Sequence, residues 1–319
     1  MARTGPPERC TGQRPRWLLA AALLLLLPAQ AALAASVVVV RSRASAKAAR
    51  LYQQAIDGLE ATGPAGLAVL AMEDELADPQ ALIAAVRRHG PQVVVAIGPL
   101  AAKVLRAGID DLPLVLCMVS QTLQRSLGGP NTTGVTMQPS PGKQLEAFRR
   151  VVPGLRRVGV IYHPELSGAF VAQARAAAKP LGLTLVDRSI ESQRDVAEAL
   201  RAVQQQADGL WMLRDGKVVT QEFFTQSLML QAERNLPLMV FSARFVAKGA
   251  LCSYSASYRA QGRQAGHVVK ALLAGSPVAE VPLQAPDGTL TINIATAAKI
   301  GLELPAALLA SPDVHKVGG

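Results

Sequence analysis

The sequence predicts an α/β fold of two doubly wound, parallel-sheet lobes. Three observations predict it. Short apolar runs alternate with amphipathic segments along most of the chain, and the alternation falls into two series separated by a turn-rich stretch around Gly128-Gly129-Pro130-Asn131. The length of 319 residues exceeds what one hydrophobic core usually serves. Half of the residues are hydrophobic but only 4% aromatic, so Ala, Leu and Val build the core, as in parallel sheets flanked by helices.

Val37 to Val40 is a β-branched run and predicts a strand buried on both faces. Ala48, Leu51, Tyr52, Ala55 and Ile56 recur at helical spacing and predict a helix over 44–59. Leu67–Leu70 reads as the second strand. Pro79–His89 reads as a helix capped by Asp78, with proline in its first turn. Val93–Gly98, a short helix over Leu100–Arg106 and strand Pro113–Val119 complete the first series. Turn formers make 121–139 mostly loop, with a short strand at Val135.

The second series comprises helix 142–151, strand 157–162, helix 167–181, strand 184–186, helix 194–206 and strand 210–213. It continues with helix 218–234, strand 238–241, strand 251–254, helix 257–274, strand 289–294 and a terminal helix. Ligands of open α/β sheets sit at the carboxyl ends of the strands. The candidate functional residues are therefore Ser42, Gly98 and Pro99, Ser120, Tyr162 and His163, Arg214 and Asp215, and Ser242.

No strand is followed by a dinucleotide or P-loop glycine signature, and no nucleophile elbow is present. None of the four histidines has an acidic or histidine partner at metal spacing. No catalytic residue, metal or cofactor is expected, and the absences favour binding over catalysis. The net charge is +10, of which four arginines and one glutamate before Ala35 supply +3. The remaining surplus sits in scattered pairs such as Arg87-Arg88 and Arg149-Arg150, which read as solvated helix faces, and no nucleic-acid motif accompanies them.

Residues 1–34 carry a basic stretch, an apolar run ending before Pro28, and Ala32-Leu33-Ala34, the pattern of a cleaved secretory signal peptide. The apolar run is short for a membrane span, although an uncleaved anchor is the alternative. Cys117 and Cys252 lie in strand-like runs and read as buried thiols, with a disulfide as the other possibility.

A more specific signal runs through the second half. Asn131-Thr132-Thr133-Gly134-Val135-Thr136 leads to Arg157-Val158-Gly159-Val160-Ile161-Tyr162. Leu236-Pro237-Leu238-Met239-Val240-Phe241-Ser242, Phe245-Val246-Ala247-Lys248-Gly249 and Ser253-Tyr254-Ser255 follow, then Thr291-Ile292-Asn293-Ile294 and Ile300-Gly301-Leu302-Glu303-Leu304-Pro305. In this order, over about residues 90 to 313, the series resembles the ABC-transporter substrate-binding proteins of the tryptophan- and tyrosine-binding group. The resemblance implies a type I periplasmic binding protein fold whose lobes are joined by a multi-strand hinge.

The resemblance further implies a first lobe over 35–138, rejoined by about 256–294, and a second over 139–255 with about 295–319. The crossings then fall near Thr136–Pro141, Tyr254–Tyr258 and Ile294. It implies a small-molecule ligand held by a periplasmic monomer that presents its closed form to an inner-membrane ABC permease. Carried over by position, Gly98-Pro99 offers helix-start amides to a carboxylate, Ser120 a hydroxyl, Tyr162 an aromatic wall and Asp215 a partner for an ammonium group. Ser242 and Tyr254 complete the rim, and His163 could face the cleft.

This chain reads Arg214-Asp215-Gly216 where the family has Thr-Asp-Asn. Either Arg214 adds a site for a further anionic group, or Arg214 and Asp215 pair with each other, or Asp215 opens a turn. The expected role is import of an amino-acid-like or other small polar solute. The alternatives are a periplasmic sensing module for a membrane receptor and an exported α/β enzyme.

Overall fold

The computed structural model of the protein describes residues 36–318, with Met1, Ala2 and Gly5 before them. The signal-peptide run and its cleavage motif lie outside the described residues. Within these, no helix is long and apolar enough to cross a membrane.

The first lobe is built on β1 (Val37–Arg41), β2 (Ala68–Ala71), β3 (Val93–Ile97), β4 (Leu114–Cys117) and β5 (Thr132–Gly134). Its helices are α1 (Ala46–Thr62), α2 (Pro79–Arg88), α3 (Pro99–Gly108) and the short α4 (Gln121–Ser126). The strands pair in parallel in the order β2-β1-β3-β4-β5. Val37 to Val40 and the whole of β3 are fully enclosed, as their unbroken apolar runs require. Asp78 caps α2 by accepting the Ala81 amide at 2.7 Å, beside Pro79 in the first turn.

The second lobe begins with α5 (Pro141–Val151), β6 (Arg157–Tyr162), α6 (Pro164–Ala178), β7 (Thr184–Ser189), α7 (Val196–Gln204) and β8 (Gly209–Trp211). It continues with α8 (Gln221–Arg234), β9 (Leu238–Val240), α9 (Ala243–Val246) and β10 (Cys252–Ser255). The chain then returns to the first lobe as α10 (Tyr258–Leu273), which packs along α1. It re-enters the second lobe through β11 (Thr289–Asn293), α11 (Ile294–Lys299), α12 (Ala306–Ala310) and β12 (Val314–Val317). The seven-stranded sheet runs β12-β11-β10-β9-β8-β6-β7, parallel except where β11 meets β10.

Three sequence expectations are corrected. The strand over 289–293 pairs with β10 and β12 in the second sheet, so the third crossing precedes it instead of lying near Ile294. The stretch after Ser120 contains α4, which Ser120 caps and which is too polar to show an apolar period. The C-terminus adds strand β12, whose Val-His-Lys-Val alternation sits on a sheet edge.

The crossings are tied together. Thr136 donates its amide to Gln284 at 2.9 Å, and Gln284 donates to Gly134 at 3.0 Å. At Gly288 a Cβ would lie 2.7 Å from the Tyr254 ring and 2.9 Å from Pro139, so the three connecting segments meet where only glycine fits.

Cys117 and Cys252 are free, fully buried thiols on different sheets, which decides against a disulfide. Burial pushes the Cys117 thiol up to about 12 and that of Cys252 up as well. Neither is expected to react with a thiol reagent at pH 8 until the protein is unfolded; rapid labelling of either in the native state would contradict this burial. Because these raised values favour the protonated thiols in the folded state, their contribution to stability is whole below about pH 9. It declines as pH rises toward about 12.

Candidate functional site

Both sheets place their first strand beside the crossover neighbour: β1 lies between β2 and β3, and β6 between β7 and β8. A doubly wound sheet opens a crevice at such a switch point, where flanking helices diverge. Here both crevices are closed from within. In the first lobe Ser42 is buried, and its hydroxyl accepts the Ala101 amide at 2.9 Å. Ala102 bonds back to the Gly98 carbonyl at 3.2 Å, and Pro99 carries no N–H. The helix-start amides expected to meet a carboxylate are thus largely committed. Gly98 adopts φ 93°, and a Cβ there would stand 2.7 Å from both the Ser42 and Tyr52 hydroxyl oxygens, so the loop is held tight against β1.

In the second lobe Asp215 plays the corresponding part. It is 1% exposed; one carboxylate oxygen accepts the His163 amide at 2.8 Å and the other accepts the Lys217 amide at 3.0 Å. The Val218 and Val219 amides close the turn on its backbone carbonyl. One oxygen therefore ties this loop to the residue after β6 while the other closes Asp215's own turn, the turn-opening alternative among the three expectations for this residue. Tyr162 likewise belongs to the lobe's apolar core, where its hydroxyl accepts from Arg175 at 3.2 Å; it is not a cleft wall. His163 is the residue before α6, and its Nδ1 is buried without a hydrogen-bond partner among the described residues. Ser242 caps α9 at 3.4 Å to the Arg244 amide, and Tyr254 packs at the crossings.

A cavity of about 930 Å³ over the crossings is shared by both lobes. Two of the ten sequence-selected residues, Ser120 and Arg214, line it. Its first-lobe wall is α4 with Lys103 of α3, its floor is Thr136–Pro141 with Leu283 and Ala285, and its second-lobe wall is α6 with Arg214 and Gly216. On α6, Leu166, Phe170 and Gln173 follow one another at helical spacing and face the cavity together with Ser167. Ser167 is 6% exposed. Those α6 residues were readable as a helix face, but only the packing shows that this face looks into the cleft and not into a core.

Arg214 is exposed over the residue as a whole, but its guanidinium carbon lies 4.9 Å from the centroid of the Phe241 ring. Partial loss of hydration lowers its pKa from the usual arginine value. Arg214 and Asp215 do not pair, because the carboxylate is taken by backbone amides. Among the described residues no group of three His, Cys, Asp or Glu side chains could hold a metal ion.

Comparison with known proteins accords with this architecture. The family described as "ABC transporter substrate binding protein" matches residues 37–316. A tyrosine-binding protein of Clostridioides difficile (strain R20291) is 23% identical over 205 residues, covering 62% of this chain. The chain spans about three-fifths of that relative's length (59%). An ABC domain from Streptococcus pneumonia solved in complex with L-Trp superposes with a TM-score of 0.56 at 21% identity, covering 88% of this chain and 99% of that one. The ligand-free, open structure of a substrate-binding protein with adhesive properties from Clostridium difficile gives 0.65 at 18% identity, with 88% and 99% covered. These superpositions share the type I two-lobed fold.

Proposed function

We propose that this chain, which belongs to the ABC transporter substrate-binding protein family, captures an amino-acid-like or other small polar organic solute between its lobes. Delivery goes to an ABC permease for import, and the protein carries out no covalent chemistry. The observation that carries the reading is the cavity of about 930 Å³, walled by α4 on one lobe and α6 on the other and floored by the connecting segments. Closing such a cleft desolvates one ligand between two half-sites, while rotation is absorbed by a few residues at the crossings. The ligand then shifts the open–closed population by its differential affinity for the closed form.

A relative named as a tyrosine-binding protein supports an amino-acid-like ligand, and the N-terminal export pattern supports a periplasmic location. A thermal-shift screen of the purified protein against amino acids and small organic solutes tests the reading. One compound is expected to raise the melting temperature, with a stabilisation of about 2.7 kcal/mol at a hundredfold excess over Kd. Cells lacking the chain are then expected to lose uptake of that compound. Silence across the screen would overturn the capture reading, and unchanged uptake would overturn the import role.

A further inference from the structure

The charge of the cavity walls is one-sided. Lys103 on α3, Arg125 on α4 and Arg214 after β8 all line it, and no aspartate or glutamate does among the described residues. None of the three has an ion-pair partner there, although six other basic side chains of the same chain do. Two acidic groups adjoin lining residues in sequence: Asp215 is buried and bonded to the His163 and Lys217 amides, and Glu165, exposed in the first turn of α6, is not among the lining side chains. An ammonium group entering this cleft would therefore meet cations and find no carboxylate. Closure sharpens the argument: Lys103 and Arg125 stand on one lobe and Arg214 on the other, so bringing the walls together presses like charges into a less hydrated space unless an anion lies between them.

The rest of the lining mixes uncharged polar side chains, such as Gln121, Gln138 and Gln173, with apolar surface that suits an anion's body. Leu166 and Leu283 are large hydrophobics left 43% and 45% exposed, both in this cavity, and Phe170 lies beside Leu166 on α6. Arg214 held over the Phe241 ring presents a planar, two-pronged donor suited to a carboxylate, and Ser120 and Ser167 add hydroxyls.

We propose that the cleft takes an organic anion, a carboxylate on an aromatic or apolar body without an ammonium group, and that Arg214 is the residue that selects it. This rests on the capture reading above and narrows its substrate class.

Matched ligand triads test it by calorimetry on the purified protein: 3-(4-hydroxyphenyl)propanoate, L-tyrosine and tyramine, and the indole series 3-(indol-3-yl)propanoate, L-tryptophan and tryptamine. At least one carboxylate lacking nitrogen on its chain is expected to bind tenfold or more tightly than its amino acid, with no binding of the amine. Its affinity is expected to fall as salt rises and at least tenfold in Arg214→Gln, whose melting temperature stays that of the parent. Amino acids binding more tightly than their des-amino partners would overturn this inference and leave capture standing. So would unchanged affinity in Arg214→Gln, or a hit in the broader screen that bears an ammonium group. If neither the triads nor the broader screen yields a ligand, the capture reading fails and this one with it.

Discussion

Replacing Asp215 with alanine is expected to lower the stability of the protein by about 2–4 kcal/mol, because two amides lose their acceptor at one buried place and each unmatched group costs about 1–3 kcal/mol. Asp215 accepts from His163 at the end of β6 and from Lys217 two residues on, and it is 1% exposed. The His163 amide opens α6, whose first turns carry Leu166 and Ser167 to the cleft, so loosening this joint also moves a cavity wall. Urea denaturation monitored by the Trp211 signal measures the loss, and Asp215→Asn, which keeps one accepting oxygen, is expected to recover part of it. A fully stable Asp215→Ala protein that fails only in ligand binding would show that the carboxylate serves the ligand after all.

The second large effect is expected at the seam between α1 and α10. A Cβ on Gly262 would stand 1.9 Å from the Ala55 carbonyl oxygen, and one on Gly58 would stand 2.1 Å from that of Arg259. Gly266, one turn further along, would meet the Thr62 hydroxyl at 2.4 Å. These are backbone and near-backbone atoms, so the helices must separate to admit even a methyl group. Gly262→Ala is expected to destabilise by about 2–3 kcal/mol, or on the order of 3–5 °C in melting temperature for a chain of this size. Gly154, with open space around it, is the control, and Gly154→Ala is expected to stay within about 0.5 kcal/mol of the parent. Equal melting temperatures for the two variants would mean that the helices are not packed this closely in solution.

The seam matters because α10 is the segment that leaves the second lobe and returns to the first. The crossover leaves no trace in the apolar period of α10. It reads as one more amphipathic helix after a strand, and its partner α1 lies some two hundred residues earlier. Gly262 and Gly266, spaced by four, and Gly58 were visible in the sequence, but glycines four apart become a close helix contact only when a second helix is known to lie across them.

Elements with a strong local signal were legible. The β-branched run at Val37–Val40, the Asp78-Pro79 helix start and the alternation of both series follow from side-chain periodicity and capping, which act within one or two turns of chain. The weak signals went the other way. The stretch after Ser120 forms α4 despite its polarity because Gln124 is buried and donates to the Val135 carbonyl at 2.7 Å, a tertiary bond that no local pattern announces.

The candidate site divides along the same line. By itself the sequence determined an export pattern, two α/β lobes, a family, and a set of strand ends among which function had to be sought. It also exposed Arg214 as a departure from the family pattern. The tertiary structure alone decided which of those ends remain open. Ser42 and Asp215 turn inward because their hydrogen-bond partners, Ala101 and His163, are brought alongside by neighbouring strands far apart in the chain. Ser120 and Arg214 face the cleft. A carboxylate looks the same in sequence whether it binds a ligand or two backbone amides; the difference lies in the nonlocal geometry around it.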